Sequence, residues 1–278
     1  MRGKNQAHKT GQPRSPSYGS PAPKGPFNGA ANQNNRGKIP PQASYKGFDP
    51  RGDKQREQAD LIDKNDITFS VGPAGTGKTY VAIAKAIEAF EKGEYETILL
   101  VRPAVEAGKT IGFLPGDQNS KLEPYMRPLY DELDKVYGQG KYKSMIRSPE
   151  NLSGPIEVAP VGTMRGRTFK NAFVIIDEAQ NLLPEEFKMA LTRLGEGSKM
   201  VITGDPQQVD LKPATDSGLE KFIKNLEGVE GVGVHRYGPE DVVRHPTVKR
   251  IVDRLNKVEA DAEEKEKKNQ PVARMMTP

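Results

Sequence analysis

Short apolar runs alternate with amphipathic stretches along the chain from Ile67 onward. The runs are rich in β-branched residues and too short for buried helices, so they predict strands. They are ITFSV (67–71), TILLVR (97–102), IEVAP (156–160), AFVII (172–176), KMVIT (199–203) and VGVH (232–235). Apolar positions at helical spacing predict helices at 78–91, 120–137, 184–194, 217–226 and 240–256. Because strands alternate with helices, we expect an α/β fold, with a parallel sheet covered by helices on both faces.

Three segments fall outside this alternation. Residues 138–155 are polar and predict a surface loop. Residues 1–50 are rich in Pro, Gly, Asn, Gln and Ser. They bury too little apolar surface to offset their conformational entropy, so we expect a disordered tail. The predicted organisation is a tail (1–50), one folded domain (51–256) and a charged C-terminal tail (257–278).

Charge and composition argue against several kinds of metal site and against a membrane protein. Residues 1–50 hold eight Lys and Arg and one acid, whereas the whole chain has a net charge of +5, so the predicted domain is slightly acidic. The chain has no Cys and three His, which argues against a thiolate or zinc centre. It lacks both the long apolar run of a membrane span and the apolar core of a signal peptide. We therefore expect a cytoplasmic protein without a membrane partner.

The motif GPAGTGKT follows the first predicted strand directly and matches G-x-x-x-x-G-K-[ST]. Its glycines permit a tight turn that brings backbone N–H groups onto phosphate oxygens, and the following helix adds its positive amino end. Lys78 is predicted to reach the β- and γ-phosphates, and the Thr79 hydroxyl to ligate Mg²⁺. The residues predicted to bind ATP here are Gly72, Pro73, Ala74, Gly75, Thr76, Gly77, Lys78 and Thr79.

A second motif, FVIIDEAQ (173–180), is a short apolar run that ends in two acids. Ligands of open α/β sheets bind at the carboxyl ends of strands, where adjacent anions need a cation beside them. A magnesium ion supplies that cation, so Asp177 is predicted to hold the metal. Glu178 is predicted to orient or deprotonate the water that attacks the γ-phosphate. The alternatives are that Asp177 caps the next helix and that Glu178 is an ordinary acid of its first turn.

A third motif, KMVITGDPQQ (199–208), ends a predicted strand in Thr203, Gly204 and Asp205. These residues are predicted to sense the γ-phosphate by hydrogen bonding, and Gln207 to take part in catalysis. The alternative is an ordinary turn, because Gly-Asp-Pro is common turn chemistry. No guanine-specific [NT]-K-x-D box follows, so the three motifs favour ATP over GTP.

These motifs and several further blocks resemble the PhoH family, P-loop ATPases related to superfamily 1 helicases. The further blocks are RPAVEAGKTIGFLPGD (102–117), PYMRPLYDEL (124–133), APVGTMRGRTF (159–169) and DVVRHPTV (241–248). The resemblance implies a single RecA-like domain, Mg²⁺-dependent ATP hydrolysis, and action on RNA or single-stranded nucleic acid, with helicase activity as one form of it. It also implies that Gln55 contacts adenine, with Gln58 as a nearby alternative, and that Arg244 stabilises transition-state charge.

The resemblance covers one RecA-like domain where larger helicases use two. We therefore expect a homo-oligomer, such as a ring, in which Arg244 acts on the neighbouring subunit's nucleotide. Basic and aromatic residues in loops are candidates for nucleic-acid contact, although the arginines could instead hold the fold or a subunit interface together. The candidates are Arg102, Lys109, Phe113, Arg165, Arg167 and Phe169. The basic tail is a further candidate.

Two other functions fit the same motifs. The chain could be a regulatory module whose nucleotide state gates a protein partner without translocation. Less favoured is a P-loop kinase that uses Glu178 on a substrate hydroxyl.

Overall fold

The computed structural model describes residues 45, 47–103, 118–211 and 217–243, with five single positions beyond them (247, 250, 251, 254 and 258). All of these belong to one compact unit, residues 37–278. The predicted tails, 1–50 and 257–278, lie almost entirely outside the described residues.

Six strands form one sheet in the described part of the chain. They are β1 (Ile67–Val71), β2 (Thr97–Arg102), β3 (Ile156–Pro160), β4 (Ala172–Ile176), β5 (Lys199–Gly204) and β6 (Val232–Arg236). Their order is β3-β2-β4-β5-β1-β6, and every neighbouring pair is parallel. The predicted parallel sheet is confirmed, and each strand ends within one residue of its predicted bounds.

Five α-helices accompany the sheet in the described residues. They are α1 (Asp53–Lys64), α2 (Lys78–Glu91), α3 (Gln118–Tyr137), α4 (Pro184–Leu191) and α5 (Leu219–Leu226). Helix α1 was not predicted, because two of its four buried residues are the polar Gln55 and Gln58 and its apolar stripe is therefore incomplete. The predicted helix at 240–256 is described only in part.

Helices cover both faces of the sheet, and successive strand residues point to opposite faces. Ile98 and Leu100 of β2 join the buried cluster of α1, α2 and α3. Leu99 and Val101 join the second cluster, which contains Phe187 of α4 and the buried residues of α5. The domain is thus an α/β, RecA-like P-loop architecture, as the resemblance implied. No helix of the described residues has both the length and the apolar character needed to cross a membrane.

The segment 138–155 is more structured than the predicted polar loop. It contains a 3₁₀ turn at Lys143–Met145, and Ile146 pairs with Ile156 of β3. The side chains of Tyr142 and Met145 are buried, with Met145 only 1% exposed. The expectation of a polar surface loop is therefore wrong for these residues, which bury apolar surface against the core.

Candidate nucleotide-binding site

A cavity of about 570 Å³ lies where β1, β4 and β5 end. Strand β5 runs between β1 and β4, so its carboxyl end separates the glycine-rich loop after β1 from the two acids after β4. The predicted residues that line the cavity are Gln55, Ala74, Gly75, Gly77, Lys78, Thr79, Asp177, Glu178, Gly204 and Asp205. The sheet thus brings three separate sequence motifs to one cavity.

The glycine-rich loop requires glycine for two physical reasons. Gly77 has φ +87°, in the left-handed region, and a Cβ there would lie 2.5 Å from Nε2 of Gln55. Gly72 has φ +142°, and its Cβ would lie 2.5 Å from the carbonyl oxygen of Tyr237. A side chain at Gly72 would therefore clash with backbone, whereas one at Gly77 would strain the backbone and force the Gln55 amide to move.

Three separate elements hold the loop in this conformation. From α1, Gln55 Nε2 donates a hydrogen bond to the Thr76 carbonyl at 2.9 Å. After β5, the Asp205 carboxylate accepts one from the Ala74 N–H at 3.1 Å. Beyond β6, the Val243 N–H donates to the carbonyl of Gly75 at 2.9 Å. The loop is therefore a preorganised turn rather than a free one.

Lys78 is buried at the start of α2 and reaches back across the loop. Its ammonium group donates to the carbonyls of Gly72 and Pro73 at 2.7 and 2.9 Å. Burial lowers the pKa of Lys78, while the carboxylates of Asp205 and Asp177 oppose that shift. The lysine is thus held at the loop by neutral carbonyl groups, close to the acids of the cavity.

Asp177, which follows β4, connects the start of α2 to strand β5. Its Oδ1 atom accepts hydrogen bonds from the hydroxyls of Thr79 and Thr203, both at 2.7 Å. Thr79 lies 98 residues away in the sequence. The alternative role as a helix cap does not fit, because the next α-helix begins at Pro184, with Leu183 at its N-cap. A hydroxyl and a carboxylate oxygen are instead adjacent, as a magnesium site needs.

Glu178 occupies a conformation that non-glycine residues seldom adopt. Its φ and ψ are 54° and 40°, at a cost of about 1–3 kcal/mol that the surrounding structure must offset. Its carboxylate accepts a hydrogen bond from Gln180 Nε2 at 2.5 Å and lies 3.3 Å from the Arg102 guanidinium. Burial, and next the charge of Asp177, raise the pKa of Glu178. Glu178 precedes a 3₁₀ turn, Ala179–Asn181, and is not in the first turn of an α-helix.

The end of β5 brings polar groups to the same place. Thr203 is fully buried on Asp177, and Asp205 is buried with its Oδ1 accepting from the Gln207 N–H at 3.0 Å. The Gln207 side chain is exposed, and the residue lining the cavity is its neighbour Gln208. The turn chemistry of Gly-Asp-Pro is thus present, but Asp205 also holds the glycine-rich loop.

Of the two glutamines considered for adenine, Gln55 is the one that lines the cavity. Its Oε1 accepts from the Arg51 N–H at 2.9 Å, while its Nε2 donates to the loop. Gln58 is fully buried, donates to the Lys78 carbonyl at 3.0 Å and accepts from the Tyr237 hydroxyl at 2.6 Å. Both polar atoms of Gln58 are therefore used within the fold, beside the first turn of α2.

Comparison with known proteins identifies the family. A family model described as PhoH-like protein matches residues 48–256. The chain belongs to the PhoH family. A PhoH-like protein of Bacillus subtilis (strain 168) is 48% identical over 203 residues, which cover 73% of this chain and 62% of that protein. Protein PhoH of Escherichia coli (strain K12) is 42% identical over 202 residues, or 73% and 56% of the two chains.

This PhoH-family chain thus spans about three fifths of the length of the curated relatives it matches. Among solved structures, the large terminase from a thermophilic bacteriophage superposes with a TM-score of 0.49 at 15% identity. The superposition covers 74% of this chain and 50% of the terminase.

Two of the candidate nucleic-acid residues, Arg102 and Arg167, form ion pairs within the domain. Arg102 of the PhoH-family domain lies against the two acids, with its guanidinium 3.8 Å from Asp177 and 3.3 Å from Glu178 and its side chain 20% exposed. Arg167 makes a double ion pair with Glu157, at 2.5 and 2.8 Å, and stacks over the ring of Phe169 at 4.8 Å. That geometry fits the alternative in which the arginine holds the fold.

Phe169, a further candidate for nucleic-acid contact, does not fit that role, because it is 7% exposed and belongs to the core. Arg165 is exposed. Lys109, Phe113 and Arg244 lie outside the described residues.

Several cavity residues were not predicted. Tyr80 adjoins the glycine-rich motif, and Gln208 and Val243 lie within quoted blocks, so closeness in sequence was the available signal for these three; Arg51 had no such signal. Two others, Glu132 and Lys135, come from α3 and form an ion pair at 2.6 Å. The block PYMRPLYDEL contains Glu132, but no spacing in the sequence relates α3 to the glycine-rich loop.

Proposed function

We propose that this chain binds ATP with Mg²⁺ in the cavity and hydrolyses the γ-phosphate, and that it couples hydrolysis to RNA or single-stranded nucleic acid. The observation that carries the proposal is the 2.7 Å hydrogen bond between Thr79 and Asp177, with Glu178 beside it. It joins the hydroxyl of the glycine-rich loop to the acid after β4. That pairing is the one P-loop NTPases use to hold magnesium.

The donor atoms fit a magnesium ion. Mg²⁺ prefers hard oxygen ligands and keeps several waters, so one hydroxyl and one carboxylate are a sufficient protein contribution. Thr79 and Asp177 would hold it. When bound, the ion neutralises charge that develops on the phosphate oxygens.

The cavity also fits a nucleoside triphosphate. Its volume of about 570 Å³ lies within the range of roughly 300–1,000 Å³ typical of small-molecule sites. The amino end of α2 and the loop N–H groups suit phosphate oxygens, and Lys78 adds a cation beside them. Gln55 lines the same cavity and would contact adenine.

The residues of the chain divide the work of hydrolysis. Glu178 accepts a proton from the attacking water, and its raised pKa makes it a stronger base than an exposed glutamate. Thr203 orients the Asp177 carboxylate through its hydroxyl. Gly204 and Asp205, at the end of β5, sense by hydrogen bonding whether the γ-phosphate is present, and Gln207 takes part in catalysis from the same turn.

Nucleic-acid binding and assembly are the wider part of the proposal. The family resemblance supports an RNA or single-stranded partner and a homo-oligomer in which Arg244 reaches the neighbouring subunit's nucleotide. Arg165, Lys109 and Phe113 are the proposed contacts, together with the basic tail. The cytoplasmic location remains a prediction from composition.

Phosphate release with and without single-stranded RNA and DNA tests this function. We expect Mg²⁺-dependent release from ATP, stimulated by one class of strand, and loss of nucleotide binding or turnover in Lys78→Ala. Isothermal calorimetry measures binding independently of turnover. Absence of ATP binding to the wild-type protein would refute the proposal, and ATP turnover that no strand stimulates would refute its coupling to nucleic acid.

A further inference from the structure

Gln180 is a buried amide that contacts the acid after β4 and the chain after β5 at once. It lies in the 3₁₀ turn Ala179–Asn181 and is 1% exposed. Its Nε2 donates to Glu178 Oε2 at 2.5 Å and to the Gln208 carbonyl at 3.1 Å. Its Oε1 accepts from the Asp205 N–H at 3.0 Å. Every polar atom of the side chain is therefore engaged.

The connection continues to the phosphate loop. The Asp205 carboxylate, whose backbone N–H donates to Gln180, accepts a hydrogen bond from Ala74 N–H at 3.1 Å. Glu178, Gln180, Asp205 and Ala74 thus form one continuous series of hydrogen bonds. The series joins the proposed base to the loop that would hold the phosphates.

The Glu178 side chain needs such a support. It is 35% exposed, so water competes for its carboxylate from the cavity side. Its other oxygen faces Arg102 at 3.3 Å, a distance at the edge of a hydrogen bond. The short contact with Gln180 is therefore the closest constraint that the described residues place on its direction.

We propose that Gln180 is a positioning residue, which aims the Glu178 carboxylate and keeps it in register with the phosphate loop through Asp205. The assignment rests on the proposed ATP hydrolysis, because Gln180 acts through Glu178 and does not itself touch the reacting atoms. It gives Gln180 a role in turnover and none in nucleotide affinity.

The neighbouring Asn181 offers a matched control. Its Nδ2 donates to Asp210 Oδ2 at 3.2 Å, and its Oδ1 accepts from the Asp210 N–H at 2.8 Å. The Asn181 side chain therefore ties the same 3₁₀ turn to the same stretch of chain after β5. Both of its polar atoms bond to Asp210 and not to the Glu178 carboxylate. Asn181→Ala therefore weakens the attachment of the turn without removing a hydrogen bond to Glu178.

The experiment compares Gln180→Ala, Gln180→Glu and Asn181→Ala with the wild type. Steady-state phosphate release gives kcat and KM, calorimetry gives the Kd for ATP, and thermal unfolding reports stability. Gln180→Ala is expected to lower kcat by about tenfold to a hundredfold, the usual effect of losing a supporting hydrogen bond, with KM and Kd within about threefold. Asn181→Ala is expected to lower the melting temperature while kcat stays within about threefold.

Gln180→Glu separates the loss of the donors from the loss of side-chain volume, because it keeps the shape and the acceptor for Asp205 but removes both donors. It is expected to lower kcat at least as much as Gln180→Ala, since it places a second anion against Glu178.

Equal losses of kcat in Gln180→Ala and Asn181→Ala would overturn the assignment, because tying the turn would then explain both. An unchanged kcat in Gln180→Glu would overturn it as well, and either result leaves ATP hydrolysis standing. A wild-type protein that binds ATP without turnover would overturn the proposed hydrolysis, and this assignment with it.

Discussion

Replacing Gly77 by alanine tests how tightly the glycine-rich loop is held. The substitution forces an L-residue to φ +87°, which costs roughly 1–2 kcal/mol. It also places a Cβ 2.5 Å from Gln55 Nε2, so the amide must move and its hydrogen bond to the Thr76 carbonyl is lost. That bond contributes about 1 kcal/mol. The expected loss is therefore about 2–3 kcal/mol in the free energy of unfolding.

Gly228→Ala is the matched control, because Gly228 has φ +88° and nothing lies within 4 Å of a Cβ built there. It carries the backbone cost alone, about 1–2 kcal/mol. Urea unfolding of both variants, fitted at equal m-values, gives their free energies of unfolding. The difference between the two losses is the cost of the contact between the new Cβ and the Gln55 amide. In a Gln55→Ala background, Gly77→Ala should lose about 1 kcal/mol less than in the wild type.

Equal losses for Gly77→Ala and Gly228→Ala, unaffected by Gln55→Ala, would refute this reasoning. The Gln55 amide would then not be packed against the loop, and the loop would not be held from α1. Losses that are equal but larger than expected would refute it too, because the prediction concerns the difference between two glycines of matched backbone conformation.

Three further predictions concern the activity of a Glu178 variant, the pH dependence of its stability, and the roles of Arg165 and Arg167. Glu178→Gln should bind ATP normally in calorimetry yet lower phosphate release by at least about 100-fold, the contribution of a general base. Because burial and Asp177 raise the pKa of Glu178, the protonated form is favoured in the folded state, and ionisation weakens stability as pH rises through the raised value. Glu178→Gln should therefore raise the free energy of unfolding at pH 7 relative to the wild type, with the gain vanishing below the ordinary glutamate pKa; a gain that persists in acid would contradict this cause. Arg167→Gln should cost about 0.5–1 kcal/mol in urea unfolding, because it breaks the partly exposed pair with Glu157. The Arg167→Gln variant should bind single strands as the wild type does, whereas Arg165→Gln should weaken binding and leave stability unchanged. The reverse result would assign nucleic-acid binding to Arg167 and the structural role to Arg165.

Local pattern was sufficient for the sheet and for the phosphate loop. Strands buried on both faces are mostly apolar runs, so β1, β2, β4 and β5 could be located from residue type, and the edge strands β3 and β6 from shorter runs of β-branched residues. The loop at 72–79 could be located because its chemistry depends on fixed spacing within eight residues. The acid pair at Asp177 and Glu178 could be located because charge at the end of an apolar strand is costly without a function.

Helix α1 shows where pattern was insufficient. Its buried face carries Gln55 and Gln58, which are satisfied by Thr76, Lys78 and Tyr237 in other parts of the chain. A helix whose buried face is half polar shows only an incomplete apolar stripe, because its buried polar groups are compensated by distant partners.

The direction of each side chain in the site was decided by tertiary structure alone. Residue types along the chain indicated which residues end the strands, but not that the Arg102 side chain lies against Asp177 and Glu178. Gln208 rather than Gln207 lines the cavity, and Glu132 reaches it from α3. These outcomes depend on which strands are neighbours in the sheet and how the helices cross it. Such long-range packing leaves no periodic signal along the chain, whereas strand burial and phosphate-loop spacing do.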